Sequence, residues 1–180
     1  PRSIFIGLDG GFAPWVGALI ADVKQPILLI TEQGREEEAI KRLSRVGFDQ
    51  TLGYLKGGFN AWKNASKEYD SVSSISVSTF KESKGKSAIS VFDVRKEGEF
   101  LSEHLIDAKN TPLDYINNHL AEYPSEETFY VHCAGGYRSM IASSILKSRG
   151  IHNFIDVQGG FAAIKKADME VSAYVCPSTL

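Results

Sequence analysis

Cysteine is almost absent from this chain of 180 residues, which contains only Cys133 and Cys176. Two cysteines 43 positions apart do not form the disulfide framework typical of small secreted domains, so the sequence favours a reducing, cytoplasmic compartment. No apolar run approaches the roughly 20 residues that a membrane-spanning helix needs. The first ten residues, PRSIFIGLDG, also lack the layout of a secretory signal. The sequence therefore predicts a soluble cytoplasmic protein with no membrane partner.

The chain also lacks an excess of basic residues. Its formal net charge is -2 and its pI is about 6.1. Because lysines and arginines are interleaved with acidic residues, we expect no nucleic-acid partner. The histidines are scattered without the spacing of metal ligands, so the sequence predicts neither a metal site nor a cofactor; they are His104, His119, His132 and His152.

What the sequence does contain is an internal similarity at an offset of about 102 to 103 positions. GFDQTLGYLKGGFNAW (47–62) aligns with GIHNFIDVQGGFAAI (150–164), and the apolar run PILLI (26–30) aligns with TFYVH (128–132). Each copy has the pattern of a strand, a loop, a helix closed by glycine, a second strand and a GGF turn into another helix. This alternation predicts an α/β fold with two units, each a mainly parallel sheet flanked by helices.

The two copies differ in length. The second contains an opening segment with the strand candidate SVFDV (90–94), expected near the centre of the sheet, and the first copy lacks this segment. We expect a truncated first unit at residues 1–65, a polar linker at 66–74, a full second unit at 75–168 and a tail at 169–180. An α/β unit without its opening strand exposes an unpaired edge, so we expect the chain to be a fragment of a longer protein.

The stretch HCAGGYRS (132–139) carries the candidate chemistry. A thiol with the ordinary pKa of about 8.5 is mostly protonated at neutral pH, so a nucleophilic cysteine needs a neighbour that favours the thiolate. Free N–H groups at the start of a helix supply this, glycines permit the tight turn, and an arginine adds a positive charge. The alternative is a small buried strand residue, Cys133, before an ordinary turn.

This sequence resembles the rhodanese homology domain of sulfurtransferases. The resemblance covers residues 75–168 and, more weakly, 1–65. It rests on VFDVRKEGEF, EHLIDAKNTPL, HCAGGYRS and VQGGFAAI, with Glu103 and Asp107 as departures from the family pattern. The resemblance implies transfer of sulfane sulfur from thiosulfate or a persulfide to a thiol or cyanide, through a persulfide on Cys133. It implies that Arg138 binds the donor and stabilises the persulfide, within a loop formed by Ala134, Gly135, Gly136, Tyr137, Arg138 and Ser139.

Loop length separates this chemistry from that of related cysteine phosphatases and arsenate reductases. Those enzymes place five residues between cysteine and arginine, whereas four lie between Cys133 and Arg138. The smaller ring suits one additional sulfur atom rather than a tetrahedral oxyanion. A phosphatase also needs a general acid, and neither Asp93 nor Glu97 has a spacing that singles it out. A non-catalytic module for interaction or redox sensing remains an alternative.

The corresponding loop of the first copy is TEQGREEEA (31–39), where Thr31 or Ile30 takes the cysteine position. Neither side chain forms a persulfide, so we expect an inactive copy that serves either as a docking surface or as a structural remnant. The segment SIFIGLDGGFAPWVGALI (3–20) resembles the inert repeat of bacterial fusions with a metallo-β-lactamase-fold domain, which implies such a domain upstream. We expect Cys176 to be a packed tail residue rather than a resolving thiol, and Trp15, Trp62, Phe59 and Phe161 to lie in the core.

Overall fold

The computed structural model describes residues 2–86 and 88–176. The chain divides into two compact units: unit 1 comprises residues 6–70, and unit 2 comprises residues 71–176 together with residues 2–5. The division falls inside the segment expected to be a linker. In the described ranges, no helix combines the length and the apolar character needed to cross a membrane.

Unit 1 is built around two parallel strands. Its elements are α1 (Phe12–Leu19), β1 (Ile27–Leu29), α2 (Glu36–Ser44), β2 (Thr51–Tyr54) and α3 (Gly58–Asn64). Helix α2 carries three glutamates in its first turn and two basic residues in its last, an arrangement that complements the helix dipole. A small apolar core joins α1 to α2 and to the loop after α2; its buried members are Phe12, Val16, Leu43 and Phe48.

Unit 2 contains a five-stranded sheet in the order β3-β7-β6-β4-β5, in which all paired strands are parallel. Its first elements are β3 (Ser74–Ile75), α4 (Val77–Lys86), β4 (Ser90–Asp93), α5 (Glu97–Ser102) and β5 (Ala108–Asn110). Two short 3₁₀ helices follow, at Leu113–Asn118 and Leu120–Glu122. The last elements are β6 (Phe129–His132), α6 (Tyr137–Ser148), β7 (Phe154–Val157) and α7 (Gly160–Lys166).

Helices cover both faces of this sheet, so its inner strands are hydrophobic throughout. Every residue of β6 is buried. One apolar cluster lies against α4 and α7 and consists of Phe80, Val91, Leu105, Tyr130, Val157, Phe161, Ile164 and Met169. The aromatic contacts on the other face link Phe92, Tyr123, Phe129 and Phe154. The α/β fold with a mainly parallel sheet, predicted from the alternating pattern, is confirmed.

Details of the sheet refine the sequence predictions. Strand β4, the SVFDV segment, pairs with β5 on one side and β6 on the other, so it is an inner strand, and β6 holds the centre. The residues expected to form a tail run along unit 2. Val171 forms an antiparallel bridge with Leu105, and the N–H of Val175 donates to the carbonyl of Ser102 at 2.8 Å.

One aromatic prediction is wrong. Phe161 is buried as expected and Trp15 and Trp62 are half-buried, but 44% of Phe59 is exposed. The Phe59 ring contacts Tyr69 edge to face at 5.6 Å between ring centroids, and the ammonium group of Lys63 lies 5.2 Å from the Phe59 centroid. The sheet of unit 1 has two strands among the described residues, against five in unit 2, so it offers less structure that could cover this ring.

Candidate active site

The candidate site lies at the carboxyl end of the central strand of unit 2. Strand β6 ends at His132, Cys133 follows, and α6 begins at Tyr137. In open parallel sheets, the loops after the strands form the usual crevice for ligands. We call residues 133–138 the Cys133 loop. The Cys133 loop therefore lies where parallel sheets commonly place their ligand-binding groups.

The sulfur of Cys133 lies at the amino end of α6. The N–H of Gly136 donates to Sγ at 3.1 Å, and the thiol donates to the hydroxyl oxygen of Ser139 at 3.6 Å. Gly136 has a φ of +113°, a conformation that favours glycine and that turns its N–H towards the sulfur. The 12-residue helix α6 directs its positive end at the same atom. Negative charge on Sγ is thus stabilised by a backbone donor and a helix dipole.

The backbone of the Cys133 loop is held by a second helix. Gly159 and Gly160 both have positive φ, and they start α7 directly against the loop. The N–H of Phe161 donates to the carbonyl of Cys133 at 2.7 Å, and the N–H of Ala162 donates to the carbonyl of Ala134 at 3.0 Å. A Cβ atom on Gly160 would lie 2.3 Å from the Cys133 carbonyl oxygen. The GGF turn therefore holds the loop through its backbone carbonyls.

The outer side of the loop is open. Cys133 itself is only 1% exposed, but Gly135 is exposed and Gly136 is half-buried. A Cβ atom on either glycine would meet nothing within 4 Å. The sulfur is therefore buried, while the two glycines that follow it in the loop have open space on their outer side.

Arg138 forms an ion pair with Glu99 on α5. Nη2 of Arg138 donates to Oε1 of Glu99 at 2.9 Å, and Nη1 donates to Oε2. The guanidinium holds the pKa of Glu99 below its usual range. Glu99, with a further contribution from Cys133, raises the pKa of Arg138. The sequence led us to expect Arg138 to face a donor, whereas the structure places its guanidinium on a carboxylate.

A buried acid lies on the strand beside the loop. Asp156 on β7 is 3% exposed, and burial raises the pKa of its carboxyl group, with the nearby hydroxyl groups of Ser139 and Ser74 acting in the opposite direction. Ser139 also donates to the carbonyl of Gly136 at 3.1 Å. Within the described residues, Oδ1 of Asp156 has no hydrogen-bond partner. Ser139 thus connects the sulfur, the loop backbone and this acid.

The end of β4 is locked by a buried ion pair. Nη2 of Arg95 lies 2.6 Å from Oδ2 of Asp93 and also donates to the carbonyl of Glu103 at 2.9 Å. The Arg95 guanidinium stacks on the ring of Phe161, 4.0 Å from its centroid. Because Asp93 is fully buried and paired, it is placed as a structural group rather than as a general acid, in agreement with its unremarkable spacing.

His132 is completely buried, next to Cys133 in sequence but on the other face of the strand. Burial lowers the pKa of its imidazole, and its ring stacks on Phe161 at a centroid distance of 6.5 Å. Nδ1 lies 3.2 Å from the carbonyl oxygen of Cys133. These contacts describe a packing residue that supports the loop backbone.

The structure therefore brings most of the predicted site residues to one place. Gly136 and Ser139 contact the Cys133 sulfur, Ala134 is fixed by α7, and Tyr137 begins α6 half-buried. Cys176 is exposed. The sequence did not indicate Glu99 or Asp156, which join the site through contacts between elements. Across residues 2–86 and 88–176, no group of three or more metal-ligating side chains is found.

Unit 1 contains a loop of similar position with different contacts. A Cβ atom on Gly58 would lie 2.3 Å from the carbonyl oxygen of Thr31, the same approach that Gly160 makes to Cys133. The geometry thus selects Thr31, not Ile30, as the counterpart of Cys133. The N–H of Gly34, which also has a positive φ, donates at 2.8 Å to the carboxylate of Glu36.

Arg35 follows in the same loop of unit 1, and its guanidinium is occupied by two acids. It lies 2.7 Å from Asp9 and 2.9 Å from Glu38. Five positions after Thr31 the residue is Glu36, where the second unit has Arg138.

Comparison with known proteins gives one family. A family model described as the rhodanese-like domain matches residues 76–167. An uncharacterized protein of Synechocystis is 30% identical over 95 residues, which cover 53% of this chain and 53% of that protein. The chain spans about half the length of the curated relatives it matches.

Solved structures agree on the fold. A rhodanese-like domain protein of Staphylococcus aureus is 27% identical with a TM-score of 0.51, and the match covers 57% of this chain and 100% of that one. A thiosulfate sulfurtransferase of Pseudomonas aeruginosa is 20% identical with a TM-score of 0.50. That match covers 89% of this chain and 35% of the other, and at this identity it supports the fold alone.

Proposed function

Because the chain belongs to the rhodanese-like domain family, we propose that it is a sulfurtransferase that carries sulfane sulfur as a persulfide on Cys133. The observation that carries this proposal is the hydrogen bond from the N–H of Gly136 to Sγ of Cys133, 3.1 Å long, at the amino end of α6. A structural cysteine needs no such donor. A sulfur that becomes a thiolate or a persulfide anion does.

The reaction has two displacement steps. In the first, the Cys133 thiolate attacks the sulfane sulfur of a donor, either thiosulfate or a low-molecular-weight persulfide. A bond forms between Sγ and the sulfane sulfur, the bond to the rest of the donor breaks, and the donor remainder leaves with the electron pair as sulfite or a thiolate. In the second, an acceptor thiolate or cyanide attacks the outer sulfur, and Sγ leaves as a thiolate. The electrons balance without an added oxidant or reductant.

The residues around Cys133 have separate roles in this scheme. Gly136 supplies the backbone donor that stabilises negative charge, and Ser139 orients the sulfur from the inner side. The helix α7 holds the carbonyls of the loop away from the sulfur by hydrogen-bonding them. The open space over Gly135 and Gly136 is the route by which a small donor reaches Sγ.

Unit 1 has the role of an inactive repeat in this proposal. Its support is the shared order of strand, loop, helix, strand and glycine-started helix, with Thr31 in the position of Cys133. A hydroxyl group at that position does not form a persulfide. An upstream metallo-β-lactamase-fold domain and a cytoplasmic location stay predictions.

Turnover tests the proposal. Thiocyanate formation is measured with cyanide as acceptor and with thiosulfate or glutathione persulfide as donor, for the wild type, Cys133→Ser and Cys176→Ser. We expect turnover by the wild type with at least one donor, loss of that turnover in Cys133→Ser, and retention in Cys176→Ser. Absence of turnover with both donors would overturn the proposal and favour the alternative of a redox-sensing or interaction module.

A further inference from the structure

The charge of the site is set by more than the Cys133 loop. Glu99 lies on α5, 39 positions before Arg138, and grips both terminal nitrogens of the guanidinium. The carboxylate is also held in place from its own helix, because Oε2 accepts the N–H of Lys96 at 3.3 Å. Glu99 is 39% exposed and Arg138 is 17% exposed, so the pair lies at the boundary between the loop and solvent.

The other arginine near the loop does not compensate for this neutralisation. Arg95 is 5% exposed, and Asp93 and the Glu103 carbonyl occupy its guanidinium. An anionic donor that approaches Cys133 therefore meets a guanidinium whose charge is cancelled by a carboxylate. The remaining attraction comes from backbone N–H groups and the helix dipole, which are short-ranged.

We propose that Glu99 is a specificity-determining residue that selects donors of low charge, such as the persulfide of a small thiol, and disfavours the thiosulfate dianion. This inference rests on the proposed sulfur transfer and narrows its donor class. The persulfide of an uncharged thiol such as 2-mercaptoethanol carries at most one negative charge in total, whereas thiosulfate carries two. Electrostatic repulsion from the Glu99 carboxylate acts most strongly on the donor with the larger charge.

The step that Glu99 biases is the first displacement. With a thiol persulfide, Sγ bonds to the outer sulfur, the sulfur-sulfur bond of the donor breaks, and a thiolate leaves with the electron pair. With thiosulfate, the same bond to Sγ forms and the dianion sulfite leaves. Both reactions give the same Cys133 persulfide. The preference between donors therefore depends on the charge of the donor that enters the site and of the group that leaves it, and not on the product.

The test compares two glutamates on one helix. Glu99→Gln removes the charge and keeps an oxygen that accepts the N–H of Lys96, and Glu97→Gln removes an equal charge from an exposed position of α5. We measure kcat/KM for thiosulfate and for the persulfide of 2-mercaptoethanol, which has no charged group besides its sulfur, with cyanide as acceptor. We expect Glu99→Gln to raise the ratio of kcat/KM for thiosulfate to kcat/KM for the persulfide, because the charge that repels thiosulfate is removed. The increase should be about tenfold, since solvent partly screens this charge. Glu97→Gln should leave the ratio within about twofold.

Salt dependence provides a second test of the role of Glu99. Raising the ionic strength should reduce the wild-type discrimination between donors and change that of Glu99→Gln less. An unchanged ratio in Glu99→Gln, or an equal loss with both donors, would overturn the proposal and assign Glu99 a merely structural role.

A binding measurement separates this inference from the proposed function. In a Cys133→Ala background, Glu99→Gln should tighten thiosulfate binding about tenfold by calorimetric titration. Tightening without any turnover in the wild type would sink the sulfurtransferase assignment and retain the role of Glu99. Unchanged binding would sink the role of Glu99 whatever the turnover.

Discussion

The loops of the two units place similar backbone around different atoms. In unit 2, the N–H of Gly136 points at the sulfur of Cys133, and in unit 1 the N–H of Gly34 points at the carboxylate of Glu36. Both glycines have positive φ. Each loop also lies against a glycine that starts a later helix, which is Gly58 of α3 in unit 1 and Gly160 of α7 in unit 2. In unit 1 a glutamate carboxylate therefore occupies the backbone donor that the sulfur occupies in unit 2.

The sheets of the two units also differ in how far their strands are buried. Strand β6 is buried at every residue, whereas β1 and β2 alternate between half-buried and exposed positions. Leu28 is 75% exposed and Leu52 is 67% exposed. A strand that is covered on both faces reads as a continuous hydrophobic run, whereas one covered on a single face alternates. Burial of the preceding strand is therefore a second feature that separates the Cys133 loop from its counterpart.

A thiol introduced into unit 1 tests whether the loop backbone that the two units share is sufficient for persulfide formation. We expect Thr31→Cys, made in the Cys133→Ser background, to form no persulfide on treatment with glutathione persulfide. The N–H of Gly34 is already bonded to Glu36, and the three glutamates that start α2 oppose a thiolate. Peptide mass spectrometry gives the result. A sulfur adduct on the new cysteine at the wild-type rate would show that the loop backbone alone is sufficient.

Substitution of Arg138 and of Arg35 tests how much the arginine of each loop contributes to persulfide formation. Arg138→Met leaves Glu99 unpaired beside an anionic sulfur, so we expect the rate of persulfide formation to fall about a hundredfold. Arg35→Met removes a surface ion-pair network in unit 1 and should leave that rate unchanged. Rapid-mixing measurements of sulfite or thiolate release report both rates. Equal losses in the two variants would argue against a special role of Arg138.

The glycines that approach the loops test whether the shared backbone is needed in both units. Gly160→Ala places a Cβ atom 2.3 Å from the Cys133 carbonyl oxygen at a positive φ, so we expect a destabilisation of about 3 kcal/mol. Gly58→Ala makes the same contact with Thr31 and should cost about as much.

The control for these substitutions is Gly150→Ala, which has a positive φ but open space around it. It should cost about 1 kcal/mol in chemical unfolding. A Gly160→Ala variant no less stable than Gly150→Ala would mean that α7 does not hold the loop as described.

The smallest effect concerns Asp156, whose counterpart in β2 is Gly53. Burial raises the pKa of Asp156 in the folded protein above its ordinary value of 3.8. The protonated carboxyl therefore favours folding at low pH, and this contribution is lost as the pH rises through the folded-state pKa. We expect Asp156→Asn to gain stability relative to the wild type between pH 4 and pH 7 in urea unfolding. A stability difference that does not change with pH would contradict the assignment.

The sequence predicted the parts of the site that are contiguous in the chain. The order of strand, cysteine, glycines and helix needs no information beyond residues 128–148, so the position of Sγ at the start of α6 followed from local pattern. Glu99 and Asp156 reach the site from other elements, and their contacts depend on how α5 and β7 pack. Periodicity identifies the faces of such elements but not which polar groups meet.

The wrong prediction for Phe59 has the same origin. Phe59 and Phe161 occupy the same place in the GGF pattern, and the pattern alone gives both the same environment. Phe161 is covered by Arg95 and His132 from other parts of unit 2. Burial of an aromatic side chain depends on a complete layer above it, which a local motif does not encode.

Peptide mapping after brief treatment with a stoichiometric amount of glutathione persulfide tests the central claim most directly. We expect a gain of one sulfur atom on the peptide that contains Cys133 and none on the peptide that contains Cys176, although Cys176 is the exposed thiol. Equal labelling of the two cysteines, or labelling of Cys176 alone, would contradict it.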